Sequence, residues 1–271
     1  FMPIVSMKNM LQHAYENKYA VGAFDVVNID FVKGVIDAAE CTQSPVIISL
    51  AKPHFKYFDF SLLITTVETA ARRASVPIAI HLNQGSDFES AVNAIRLGCN
   101  GIMIDASDKP LQENIRITKG LVDMARDCEI AVEGALGYAP GKEGEDTAHY
   151  PREKRYTAAD EAKTFVQGTG VDFLVVSVGT IDGRMKSEPK FDFDRLAEIN
   201  AALSIPLVIQ DGAGVDDTQF RKLIENGVTK INYYTPLSDA AAKQVKKNCD
   251  TPELGSFTDQ VKNVSTAIAK E

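Results

Sequence analysis

"VPIAIHLNQGSDFE", residues 76–89, is an apolar run that stops on an amide pair and turns directly into an acidic, helix-starting segment. Apart from His81 the run from Val76 to Leu82 shows no polar alternation, so the strand it predicts is covered on both faces, as in a parallel sheet packed under helices. Seven more runs read the same way: "YAVGAFDV" (19–26), "SPVIISL" (44–50), "GIMIDAS" (101–107), "IAVEGAL" (130–136), "FLVVSVG" (173–179), "PLVIQDG" (206–212) and "VTKINYY" (228–234). Helical patterns separate them, among them 30–40, 87–97, 111–126, 158–167, 193–203 and 218–226. Strand–helix units repeated in this way through 271 residues predict an α/β chain, a single-domain (β/α)8 TIM barrel spanning 1–271. A doubly wound open sheet is the second choice. It would carry a glycine-rich fingerprint after the first strand, and "AFDVVNID" (23–30) has none.

Composition narrows the function. A formal net charge of -8 sets the chain against nucleic acid, whose phosphates it would repel. No apolar stretch approaches the roughly 18 residues that span a bilayer, and the first residues lack a basic segment followed by an apolar one, which predicts a cytoplasmic protein without membrane partners. The four cysteines, Cys41, Cys99, Cys128 and Cys249, have no paired spacing and are expected to be reduced.

In such a barrel the active site gathers at the C-terminal ends of the strands. That rule selects Asp25, Asn28, 49–52, 81–84, Asp105, Glu133, Asp182, Gln210, Asp211 and 232–235. Asp105 and Glu133 fall inside apolar strands, where a bare carboxylate is costly, so each needs a partner. Lys230 is the strand lysine, two residues from Asn232 and on the same face, and it is expected to pair with one of them.

In order and spacing, "HLNQGSDFE", "GIMIDASDKPLQENI", "VEGALG", "TGVDFLVVSVGTIDG", "PLVIQDGAG" and "KINYYT" resemble the class II fructose-bisphosphate and tagatose-bisphosphate aldolases. The resemblance implies a lyase of carbohydrate metabolism that cleaves a ketose phosphate, in a family whose members use zinc to polarise the ketone. It also exposes departures. Asn83 stands where the family has its proton-transferring aspartate, and Gln84, Asp182 and Gln210 stand where it has zinc histidines. Asp25 replaces an Asn, Ala135 a second Glu, Ala213 a phosphate-binding Ser and Pro236 an acidic residue. The positions matching the family's phosphate grip are Gly183, Lys186, Asp211, Gly212, Gly214, Asn232 and Thr235, and the helices after strands seven and eight are expected to point positive ends at the anion.

From these replacements the sequence predicts no cofactor: no metal ligands and no zinc, with Mg²⁺ held by carboxylate and amide oxygens as an open alternative. The favoured chemistry is retro-aldol or enolising, with Asp182, Asp25 or Asp211 moving a proton and Asn83, Gln84 and Gln210 donating hydrogen bonds to the oxyanion. A Schiff-base lysine (Lys52, Lys186 or Lys230) ranks third. Other functions remain open: a non-catalytic sugar-phosphate-binding or regulatory barrel, and a ketose-phosphate isomerase or epimerase. His81 is expected to be a satisfied structural histidine, with His54 and His149 in loops. The segment 137–156 reads as a mobile lid whose Glu143, Glu145 or Asp146 supplies a carboxylate. Residues 251–271 read as one amphipathic helix docked on the barrel or on a neighbouring subunit, the resemblance implying a homo-oligomer.

Overall fold

The computed structural model describes residues 3–137, 156–179, 190–251 and 255–271. Eight parallel strands form a closed barrel in sequence order: β1 (Val21–Asp25), β2 (Val46–Ala51), β3 (Ile78–Gly85), β4 (Gly101–Ile104), β5 (Ala131–Leu136), β6 (Phe173–Val176), β7 (Leu207–Ile209) and β8 (Val228–Tyr233). β8 pairs with β1 to close it, Val21 opposite Lys230 and Ala23 opposite Asn232. The helices are α1 (Met7–Asn17), α2 (Ile29–Thr42), α3 (Phe60–Ala71), α4 (Phe88–Arg96), α5 (Leu111–Ala125), α6 (Ala159–Thr169), α7 (Phe193–Ala202), α8 (Asp217–Glu225), α9 (Thr235–Cys249), α10 (Phe257–Gln260) and α11 (Val264–Lys270).

Acceptor side chains start many of these helices. Asn28, Asp59, Asp87, Asp192 and Asp216 each take backbone N–H groups of the first turn of α2, α3, α4, α7 and α8. Two apolar shells result. Outward strand residues such as Ile48, Ile80, Ile102, Leu174 and Ile209 pack against the helices, while Val21, Ala23, Ile47, Ala79, Met103, Phe173 and Val208 fill the lumen. Met7, Met10, Leu11 and Ala14 of α1 join the second shell and stopper the N-terminal end. Above it the lumen turns polar: Asp25, Ser49, His81, Asn83, Glu133, Gln210, Lys230 and Asn232 are all buried.

Five strands, β1, β4, β6, β7 and β8, stop short of their apolar runs at the C-terminal end, where the chain leaves the sheet. β4 stops at Ile104. Asp105, expected inside the strand and in need of a charged partner, is instead exposed beyond it, where its Oδ1 accepts from Ser107 N at 2.9 Å. The C-terminal segment is not one helix. Asn263, at φ +63°, separates α10 from α11, and α11 lies on the barrel's own α2 with Gly34 against Ser265 O and Ile268. The lid expected over 137–156 lies, from residue 138 to 155, outside the described residues.

β3 carries the main irregularity. Its register with β4 shifts between Leu82 and Gly85, and Gln84 adopts a left-handed φ of +49°. For a residue with a Cβ this costs about 1–2 kcal/mol, and it projects the side chain out of the regular alternation. Gly85 follows because β4 leaves no room: a Cβ there would lie 2.4 Å from Met103 O. Gly85→Ala is expected to lower the stability by about 1–3 kcal/mol, read as a lower urea midpoint with an unchanged slope.

Candidate functional site

The polar layer is built by alternation. On β1, β2 and β3 the residues two beyond the apolar plug, Asp25 after Ala23, Ser49 after Ile47 and His81 after Ala79, turn inward, as do Asn83 two further along β3 and Asn232 two after Lys230 on β8. Register sets their neighbours: Asp25 lies opposite Ser49, and Ser49 opposite His81.

Lys230 and Glu133 anchor the layer, both with fully buried side chains. Lys230 Nζ donates to Glu133 Oε1 at 3.0 Å, lies 2.9 Å from Oε2, and donates to Asn232 Oδ1 at 2.7 Å. Of the two partners foreseen for this lysine, Glu133 is the one it meets. Burial raises the Glu133 pKa, Lys230 pulls it back, and Asp105 adds a smaller upward push. With its ammonium held in this way, Lys230 is not the free amine that a Schiff base requires.

From Asn232 the chain of amides continues, its Nδ2 donating to Gln210 Oε1 at 3.4 Å. Across the barrel Asn83 Nδ2 donates to Asp25 Oδ2 at 3.1 Å. Several buried atoms of the layer have no hydrogen-bond partner among the described residues: Ser49 Oγ, Asn83 Oδ1, Gln210 Nε2 and both ring nitrogens of His81. His81 is therefore not the satisfied histidine expected. Burial, and Lys230 secondarily, hold its pKa well below the usual histidine value, so the ring is neutral. Each orphaned group costs about 1–3 kcal/mol unless water or a ligand serves it, and several of them in one layer mark a place made to be filled.

The phosphate expectations fare unevenly. In the β7 turn, Gly212 N donates to Asn232 O at 2.9 Å and Ala213 N to Asp211 Oδ1 at 2.8 Å, so two N–H groups of that turn are already spent. Asp211 thus caps its own turn. The α8 N-terminus carries a capping box between Asp216 and Gln219, which satisfies N–H groups of its first turn. α9 differs: it starts at the buried Thr235 with Pro236 next and has no side-chain cap, leaving its dipole open at the barrel mouth. Gly214 sits at φ +73°, a conformation suited to its loop. Asp182, Gly183, Lys186 and Glu145 lie outside the described residues.

Sequence reasoning missed two contributors. Ser177, two residues past Val175 on the inward register, is buried with an unpartnered Oγ, and period-two counting beyond β6 would have found it. His54 is not in an open loop but on a 3-10 turn (Lys52–Lys56), buried, its ring centroid 4.5 Å from that of Tyr234. Only the fold brings the ends of β2 and β8 together, so no local signal announced that pair.

The chain matches the family model described as "Fructose-bisphosphate aldolase class-II" over residues 5–271. A fructose-bisphosphate aldolase of Staphylococcus epidermidis is 36% identical over 249 residues, covering 91% of this chain and 86% of the relative. A probable fructose-bisphosphate aldolase of Bacillus subtilis is 35% identical with the same coverage. Among solved structures, the YdjI aldolase from Escherichia coli K12 superposes with a TM-score of 0.85 at 32% identity, covering 98% of this chain and 93% of that one.

These matches overturn the expectation that the protein has no cofactor, because class II is the zinc-dependent class. The described donors do not themselves fit zinc, which favours imidazole and thiolate. Gln210 commits its Oε1 to Asn232 and leaves an amide nitrogen, which is no ligand, and among the described residues no group of three His, Cys, Asp or Glu could hold a metal.

Two stability outcomes follow. Lys230→Met, which strands the Glu133 carboxylate, should cost about 3–5 kcal/mol, whereas Lys230→Met combined with Glu133→Leu should recover most of it, as a denaturation double-mutant cycle would read. His81 stays neutral in the fold while the unfolded chain protonates near pH 6.5. Its contribution is thus complete above that pH and is lost as pH falls below it, at no more than about 1.4 kcal/mol per pH unit. In His81→Gln this slope should vanish from the acid limb of the stability–pH curve.

Proposed function

The chain belongs to the class-II fructose-bisphosphate aldolase family, and on that premise we propose that it is a carbon–carbon lyase that makes and breaks the aldol bond of a phosphorylated ketose at the C-terminal mouth of the barrel. The observation that carries the reading is the layer of buried, unpartnered polar atoms at the strand ends, where Ser49, Asn83 and Gln210 lack partners among the described residues. In the cleavage direction, a carboxylate takes the proton of the hydroxyl next to the scissile bond. The bond breaks, and its electron pair moves onto the ketone-bearing fragment as an enediolate. Gln210 Nε2 is available to donate to the oxygen on which that charge collects.

In this reading the proton is handled by Asp25, a described carboxylate that is buried and accepts from Asn83 through Oδ2. Asp182 and Glu145 are the other proton-moving groups in this reading, and Gln84, aimed by its left-handed backbone, is a further polar contact. The phosphate is assigned to the mouth around Asn232, the uncapped start of α9 at Thr235, the Gly212–Gly214 turn with Asp211, and Gly183 and Lys186. A homo-oligomer, as the family resemblance implies, belongs to this reading, and sedimentation would detect it.

The test is turnover. A panel of ketose mono- and bisphosphates, assayed for release of triose phosphate, is expected to include a cleaved substrate. Asp25→Asn should then lower kcat by about 10²–10⁴ with KM changed only a few-fold, since that is the usual worth of a proton-transfer group. Saturating substrate at 100 times Kd should also stabilise the fold by about 2.7 kcal/mol in a melting scan. Stabilisation without cleavage, condensation or isomerisation of any member would leave a sugar-phosphate-binding barrel instead.

A further inference from the structure

An ammonium group has only donors to offer. The atom of Asn232 that meets Lys230 Nζ at 2.7 Å is therefore its oxygen, Oδ1. Asn232 must then turn its nitrogen toward Gln210, and the atom of Gln210 that faces it at 3.4 Å must be the acceptor, Oε1. What Gln210 has left is Nε2, buried and unpartnered. A second fixed group sets the opposite side. The Asp25 carboxylate accepts from Asn83 Nδ2 at 3.1 Å, so the unpartnered atom of Asn83 is an acceptor, Oδ1.

We propose that Glu133 and Lys230 are positioning residues that lock the amide orientations of Asn232 and, through it, Gln210, so that the layer offers one N–H donor from Gln210 against one acceptor from Asn83 and thereby selects a ketone oxygen beside a hydroxyl, the α-hydroxyketone end of the phosphorylated substrate. Glu133 acts by holding the ammonium at 3.0 Å from its Oε1, without which Lys230 has no fixed place in the lumen. An amide alone cannot make this choice, because its two ends have nearly the same shape and only their neighbours tell them apart. The inference rests on the strand ends being the substrate site.

Joint neutron and X-ray diffraction of the ligand-free, deuterium-exchanged protein tests the orientation directly. Deuterons on the Gln210 atom facing away from Asn232 are the expected result, and an oxygen there overturns the proposal. Asn232→Asp keeps the shape but removes the donor: Lys230 takes one carboxylate oxygen, and Gln210 must rotate to donate to the other, now showing its own oxygen to the cavity. No rotation in that variant also overturns the proposal.

Binding supplies a second readout, with dihydroxyacetone phosphate and glycerol 3-phosphate as probes, which differ in a ketone against a hydroxyl. The protein should favour the ketone, and Asn232→Asp should cut the ratio of the two affinities by about 10- to 100-fold. In the double variant Glu133→Gln with Lys230→Met, which strands no charge, the ratio should fall toward one. An equal loss of both probes, with the ratio unchanged, marks a merely structural role and refutes the positioning. If the unaltered protein binds neither probe, the substrate reading fails, and the neutron result still decides the amide orientations.

Discussion

Lys230 and Glu133 meet inside a closed barrel where neither reaches water, and the polar layer is arranged by that meeting. A buried pair of this kind gains little net stability, because desolvation offsets most of the attraction. What it supplies is direction. Two opposite charges of fixed position give a sense of rotation to every neutral amide hydrogen-bonded to them, and here that sense passes from Lys230 to Asn232 and on to Gln210. Asp25 does the same for Asn83 from the other side.

The barrel keeps such a layer because its two ends have different tasks. Below it, the lumen is a dry packing of Met7, Leu11, Ile47, Ala79, Met103 and Phe173. That plug, with the outer shell under the helices, carries the apolar burial that holds the fold, so the upper layer can leave buried atoms unserved. Ser49 Oγ, Asn83 Oδ1 and Gln210 Nε2 are groups that a protein optimised only for stability would pair or replace with hydrocarbon.

How much of this could be read from the sequence varies with how local the cause is. Eight apolar runs gave eight strands within a few residues, because covered parallel strands are written as continuous hydrophobic stretches. The Lys230–Glu133 pair was half legible: alternation placed Lys230 in the lumen, but choosing between Asp105 and Glu133 needed the exact end of β4, which depends on where the chain leaves the sheet. The left-handed turn at Gln84 had no signal, since an L-residue with a side chain is not expected there and only the crowding of Gly85 against Met103 explains it. The tilted ring contact of His54 with Tyr234 joins chain segments 180 residues apart and is a product of closure alone. Reading the replaced histidines as the loss of a cofactor went further than the residues allowed: residue replacement describes donors, whereas the family match speaks of the chemistry.

The stopper formed by α1 has a consequence for traffic. Asn100 Nδ2 clasps Val5 O at 2.6 Å and Val5 N donates to Ile78 O at 2.9 Å, so the segment leading into α1 is tied to the base of the barrel rather than resting on it. Where a Cβ on Gly101 would stand, the sulfur of Met7 already lies only 2.1 Å away. Among the described residues the lumen is thus closed at its N-terminal end. In the proposed reaction, a molecule bound against the polar floor leaves by the mouth through which it entered, so the fragment lodged deeper waits for the one nearer the rim.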